Sequence, residues 1–123
     1  MLIKDLYSTE FFNKTESKVT ASITIDPMHP IFEGHFPKQP VLPGVCQIQI
    51  VKELVEKAVE LRLFLTEASQ CKFLQMIDPT QTNVLNITID YTVSETSVSA
   101  NAVIEGDNHI FLKIMATFTI VVE

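Results

Sequence analysis

Residues 29–60 read HPIFEGHFPKQPVLPGVCQIQIVKELVEKAVE, and the rest of the chain is arranged around this stretch. Counted from Pro27, the region holds Pro27, Pro30, Pro37, Pro40 and Pro43, five of the six prolines in the chain. Each proline fixes its own φ and pushes the preceding residue toward extended geometry, so the segment is a loop held in one shape with His35 in its middle. Pro43 suits the first turn of a helix, and Gly44 beside it allows close approach to the backbone. From there Val45, Ile48, Val51, Leu54, Val55, Ala58 and Val59 recur at helical spacing, with Gln49, Lys52, Glu53, Glu56, Lys57 and Glu60 on the other face. This predicts one helix from Pro43 to Glu60. Its N-terminus would present unpaired N–H groups and the positive end of the helix dipole beside a histidine-bearing loop, a suitable place to polarise a carbonyl oxygen.

The run GHFPKQPVLPGV, residues 34–45, resembles the signature of the hot-dog fold 3-hydroxyacyl-acyl-carrier-protein dehydratases: a Gly-His-Phe-Pro loop, a Pro-Val-x-Pro-Gly turn, then the central helix. The resemblance implies an α+β hot-dog domain over residues 1–123, with a curved antiparallel sheet wrapped around one long helix. It implies a catalytic base at His35 and a backbone N–H at Gly44 for the thioester carbonyl, with Phe36 and Val45 beside them at the substrate. The family's second catalytic group is an acid at the position of Gln49, and one turn later the family commonly has glutamine where this chain has Glu53. Carboxylate and amide are exchanged between two positions on one helical face.

Dehydration of a 3-hydroxyacyl thioester needs a base for the C2 proton, a donor for the enolate-like oxygen and an acid for the departing hydroxyl. Glutamine has no proton to give. Three readings follow. Glu53 supplies the acid and the chain is a dehydratase giving trans-2-enoyl products in fatty-acid, polyene or related lipid synthesis. Alternatively, Glu53 activates water and the chain is a hot-dog thioesterase. In the third reading dehydration is lost, and the chain is an acyl-binding or partner subunit. The resemblance further implies acyl-carrier-protein or coenzyme A thioesters as substrates. It also implies a homodimer or larger assembly of dimers, whose sites combine His35 of one subunit with helix residues of another.

Length and charge bound the class of protein and its partners. The 123 residues suffice for one domain, small enough that association would help it, and a net charge of −6 argues against nucleic acid or an anionic membrane as partner. An acidic carrier protein would need a local basic patch, for which Lys38, Arg62 and Lys72 are the candidates. No apolar run is long enough to span a bilayer, and residues 1–12 lack a signal peptide's apolar core, so the expected compartment is the cytoplasm. No metal-ligand spacing joins the histidines to Cys46 and Cys71, and no cofactor is expected. Two cysteines do not make a disulfide framework; Cys46, in the first helical turn, is weighed as a nucleophile but reads better as a buried hydrophobe. His29 and Glu33 are assigned structural roles.

Elsewhere, Leu2, Ile3, Leu6, Phe11 and Phe12 suggest a short helix or docking arm. Lys18 to Asp26 alternates as a half-buried strand. Leu61 to Leu65 reads as a connector, Thr66 to Met76 as a strand and Asp78-Pro79-Thr80 as a turn. Two alternating strands follow, around Leu85–Tyr91 and Val98–Ile104. Glu105-Gly106-Asp107-Asn108 is a hairpin turn with a positive φ expected at the glycine, and His109 just past it is expected to be exposed. Ile110 to Val122 reads as a long central strand covered on both faces. The expectation is a sheet of about five strands.

Overall fold

The computed structural model describes residues 4–33 and 40–122. The chain runs β1 (Tyr7–Lys14), β2 (Lys18–Ile25), a single 3-10 turn (Pro30–Phe32), α1 (Gly44–Val59), β3 (Leu63–Phe73), β4 (Val84–Val93), β5 (Ser97–Gly106) and β6 (His109–Ile120). The strands form one antiparallel six-stranded sheet in the order β1-β2-β4-β5-β6-β3. Its curved inner face carries alternate residues, such as Val19, Ala21, Ile23 and Ile25 of β2 and Leu85, Ile87, Ile89 and Tyr91 of β4, all buried. Against them α1 lays Cys46, Gln47, Ile50, Val51, Leu54, Val55 and Ala58, so the wrapped-helix architecture is as the resemblance implied.

The helix starts one residue later than expected: Pro43 is extended at the N-cap and offers no side-chain cap. It ends at Glu60, which takes the left-handed conformation (φ 57°) and donates its N–H to the Glu56 carbonyl oxygen at 2.8 Å. Its buried stripe is also rotated from the expected one. Val45 is 75% exposed, whereas Cys46, Gln47 and Ile50 point inward.

Several expectations are corrected. The sheet has six strands rather than five, because residues 7–14 form edge strand β1 rather than a helix or arm. Their pairing with β2 shifts register between Thr9 and Phe11, and that bulge breaks the period-two pattern so that Phe11 and Phe12 fall side by side in sequence. Strand β3 begins at Leu63 and stops at Phe73, three residues earlier at each end than expected, and it too is irregular, at Leu65/Glu67 and Ala68/Gln70. Strand β6 is not covered on both faces: it lies next to the edge, and its outward positions include Lys113, Met115 and Thr119, all exposed. Its unbroken apolar look comes from Phe111 and Leu112, both buried, next to the register shift at Ile104/Glu105.

The β5–β6 turn is a two-residue hairpin in which Asp107 (φ 51°) and Asn108 (φ 63°) carry the positive φ angles, not Gly106. Glycine is needed at 106 for space: a Cβ there would stand 2.8 Å from the Val84 carbonyl oxygen. Because backbone cannot yield as a flexible side chain can, Gly106→Ala is expected to lower unfolding free energy by about 1–3 kcal/mol, read by urea denaturation.

Candidate functional site

The helix sets out the site along its length. At its N-terminus the first N–H groups, those of Gly44 and Val45, have no intrahelical acceptor, whereas Cys46 and Gln47 both donate to the Pro43 carbonyl oxygen. Gly44 also accommodates a neighbour. The ring of Phe73, at the end of β3, lies so close to its Cα that a Cβ would meet the ring's Cζ at 2.7 Å. A cleft of about 490 Å3 opens here, lined by Val41, Leu42, Gly44, Gln47, Phe73, Leu74, Gln75 and Met76.

Further along, Gln49 and Glu53 form the expected i, i+4 pair. The Gln49 Nε2 donates to one Glu53 carboxylate oxygen at 2.8 Å, and the Tyr7 hydroxyl, reaching from β1, donates to the other at 2.7 Å. Both oxygens therefore accept, and the carboxylate is fixed between a phenol and an amide. Burial, then the hydrogen bond to Glu53 and the charges of Glu53 and Glu56, push the Tyr7 phenol well above its ordinary value. Tyrosine thus stays a donor in the folded protein. With its amide nitrogen engaged, Gln49 keeps its carbonyl oxygen for another donor. It borders a second cleft with Lys52, Glu56, Arg62 and Phe64.

Around this pair the helix is tied down at its C-terminal half. Glu56 accepts from the Leu63 N–H at 2.8 Å, the Lys14 ammonium donates to the Ala58 carbonyl oxygen at 2.9 Å, and the Lys57 ammonium sits 4.6 Å from the Phe12 ring centroid. A lysine on the last carbonyls also suits the negative end of the helix dipole.

Of the residues singled out in the sequence, His35 and Phe36 lie outside the described residues, as does Lys38. Gln49 and Glu53 are brought together, and Gly44 and Val45 stand at the helix N-terminus. Of the basic-patch candidates among the described residues, Arg62 and Lys72 lie near opposite ends of β3, whose length separates them by roughly 30 Å. Burial pushes the Cys46 thiol up, against a nucleophilic role. The Cys71 thiol is raised for the same reason, and both cysteines are free. His29 is structural, as expected. Its Nδ1 accepts from the Ile31 N–H at 3.0 Å, which leaves Nε2 to donate to the Lys4 carbonyl oxygen at 2.7 Å. His109 is exposed, beside Gln75.

Two site residues were not found in the sequence. Tyr7 lies in the strand that the bulge concealed. Gln47 is 3% exposed, and its signal was present: with Ile50, Val51, Leu54 and Ala58 it completes the buried helical stripe.

The phenol–carboxylate contact has a pH signature. An unfolded tyrosine ionises near 10.0, whereas folded Tyr7 resists ionisation until well above that value. Its contribution is therefore fully present below pH ~10 and is lost as pH rises toward the raised folded value. Tyr7→Phe is expected to cost about 1–2 kcal/mol at neutral pH, and the gap from wild type is expected to narrow above pH ~10, as measured by urea denaturation across the alkaline range.

Known proteins share the sequence pattern and the fold. Residues 12–109 match the model of the ApeI-like family, described as ApeI dehydratase. The chain is 30% identical over 87 residues to the 3-hydroxyacyl-[acyl-carrier-protein] dehydratase FabZ of Rickettsia felis, across 63% of this chain and 60% of the relative. To the FabZ of a Thermoanaerobacter species it is 33% identical over 69 residues, across 50% of this chain and 48% of the relative. The chain thus spans about half to three fifths of these relatives' length. Among solved structures, the dehydratase heterocomplex ApeI:P from Xenorhabdus doucetiae superimposes with a TM-score of 0.75 at 19% identity, over 91% of this chain and 96% of that one. A hypothetical thioesterase with coenzyme A from Streptococcus pneumoniae gives 0.67 at 12% identity, over 94% and 85%. The structural likenesses establish the hot-dog fold, and the match across residues 12–109 establishes that the chain belongs to the ApeI-like dehydratase family.

Proposed function

We propose that the chain dehydrates 3-hydroxyacyl thioesters, with Glu53 as the acid. The observation that carries this reading is the carboxylate itself, held by Tyr7 and Gln49 on the helix whose free N–H groups begin at Gly44. His35, assigned from its motif, removes the C2 proton. The N–H groups of Gly44 and Val45 receive the carbonyl oxygen as it gains enolate charge. The C3 hydroxyl receives a proton from the Glu53 side and leaves as water while the C2–C3 double bond forms. In hydration Glu53 takes the proton back.

One chain cannot complete this arrangement. Glu53 lies nine residues beyond Gly44, roughly 13 Å along the helix axis, whereas C1 and C3 of a thioester are two bonds apart. Carbonyl site and acid must come from different chains. A dimer supplies this if β3, whose outer edge has no strand partner among the described residues, pairs with a second β3 and brings two helices together. Acyl-carrier-protein or coenzyme A thioesters are the substrates this reading expects.

A second reading is favoured by Gln49: the side chain bordering the Arg62–Phe64 cleft is an amide, and its nitrogen is committed to Glu53. In that reading the chain binds acyl groups within a heterologous pair, the acid coming from its partner. The Xenorhabdus neighbour is itself a heterocomplex.

The test is hydration of crotonyl thioesters and dehydration of 3-hydroxyacyl thioesters by the purified protein. His35→Ala and Glu53→Gln are each expected to lower turnover by about 100-fold or more. A wild type without turnover, with activity appearing in Gln49→Glu, would establish the partner reading instead. Thiol release from saturated or enoyl thioesters would replace both with a thioesterase.

A further inference from the structure

Gln47 is the buried polar residue that the reaction above does not use. Its side chain is 3% exposed, among apolar neighbours on the inner stripe of α1. The amide orientation is set: Nε2 donates to the Leu42 carbonyl oxygen at 3.1 Å, which only an N–H can do. That leaves Oε1 as the acceptor, and among the described residues it has no hydrogen-bond partner. A buried carbonyl oxygen without a donor costs free energy in the empty protein. The residue lines the same cleft as Gly44, Leu42 and Phe73. It stands one turn below the free N–H groups, roughly 4.5 Å along the axis. An acceptor and neighbouring donors that find no partners among the described residues match a ligand that has a carbonyl at one point and a hydroxyl a short way along its chain.

We propose that Gln47 is a specificity residue whose Oε1 accepts a hydrogen bond from a hydroxyl on the acyl chain of a bound thioester. This rests on the acyl-thioester reading and extends it: the preferred ligand is hydroxylated, and the amide of Gln47 recognises that hydroxyl. Phe73 lines the same cleft, its ring packed against Gly44 and half exposed, so a bound acyl chain would lie against it. Discrimination follows from the cost of leaving Oε1 unpaired. A saturated chain fills the cleft without satisfying the oxygen, and a hydroxylated chain fills it and donates.

The experiment is calorimetric binding of chain-length-matched coenzyme A thioesters, saturated, 3-hydroxylated and terminally hydroxylated. His35→Ala protein is used throughout so that the 3-hydroxy probe is not consumed. One hydroxylated probe is expected to bind about ten-fold or more tightly than the saturated one, and whichever probe it is locates the hydroxyl at C3 or along the tail. Adding Gln47→Leu, or Gln47→Met where the leucine variant does not fold, should weaken that probe to the level of the saturated one. Binding of the saturated probe should stay within about two-fold. Equal binding of all three probes, or a preference that survives both substitutions, overturns the role of Gln47 and leaves the acyl-thioester reading intact. Failure to bind any probe overturns both.

Discussion

The burial of one helical stripe inside one curved sheet is the constraint on which the rest of the structure depends. Ile50, Val51, Leu54 and Val55 are each almost wholly enclosed, and they meet the inward rows of β2 and β4. With a single helix against six strands, no second apolar element is available to let α1 rotate or slide without exposing that stripe. Its azimuth is therefore fixed, and the placement of the polar groups that α1 carries follows from it. Gly44 and Gln47 face the cleft under Phe73, Glu53 faces β1, and Gln49 faces outward.

The helix and most strands were legible in residues whose periodicity is undisturbed, such as the alternation from Val19 to Ile25 and from Leu85 to Tyr91, whereas the hot-dog architecture was legible through the resemblance carried by residues 34–45. What escaped the sequence did so for local reasons. In β1 a bulge inserts a residue and inverts the alternation, so the strand no longer looks like one, and in β3 two register shifts blur where a strand that was read as such begins and ends. In β6 a pair of adjacent buried residues mimics a strand covered on both faces. At Gly106 the expectation rested on conformational freedom, whereas the constraint is proximity to the Val84 carbonyl.

The site was legible in part. The exchange of carboxylate and amide between Gln49 and Glu53 was legible through the family resemblance, their nearness followed from the i, i+4 spacing, and the hydrogen bond between them is its structural form. The phenol that completes the arrangement could not be read, because Tyr7 lies 46 residues from Glu53 and meets it only through pairing of β1 with β2 and packing of β2 on the helix. Gln47 was hidden differently. A polar residue in an otherwise apolar helical stripe is readily counted with the solvent face, although its neighbours at i+3, i+4 and i+7 all turn inward.

Strand β1 grips the helix at three places, through Tyr7, Phe12 and Lys14. The span that matches the family begins at residue 12, so two of these grips belong to the shared region and the one on the carboxylate does not. Substitution at residue 7 can therefore retune Glu53 while leaving untouched every residue by which the family is recognised. In a lineage that varies there, the hydrogen bonding of Glu53 would diverge under an unchanged family signature.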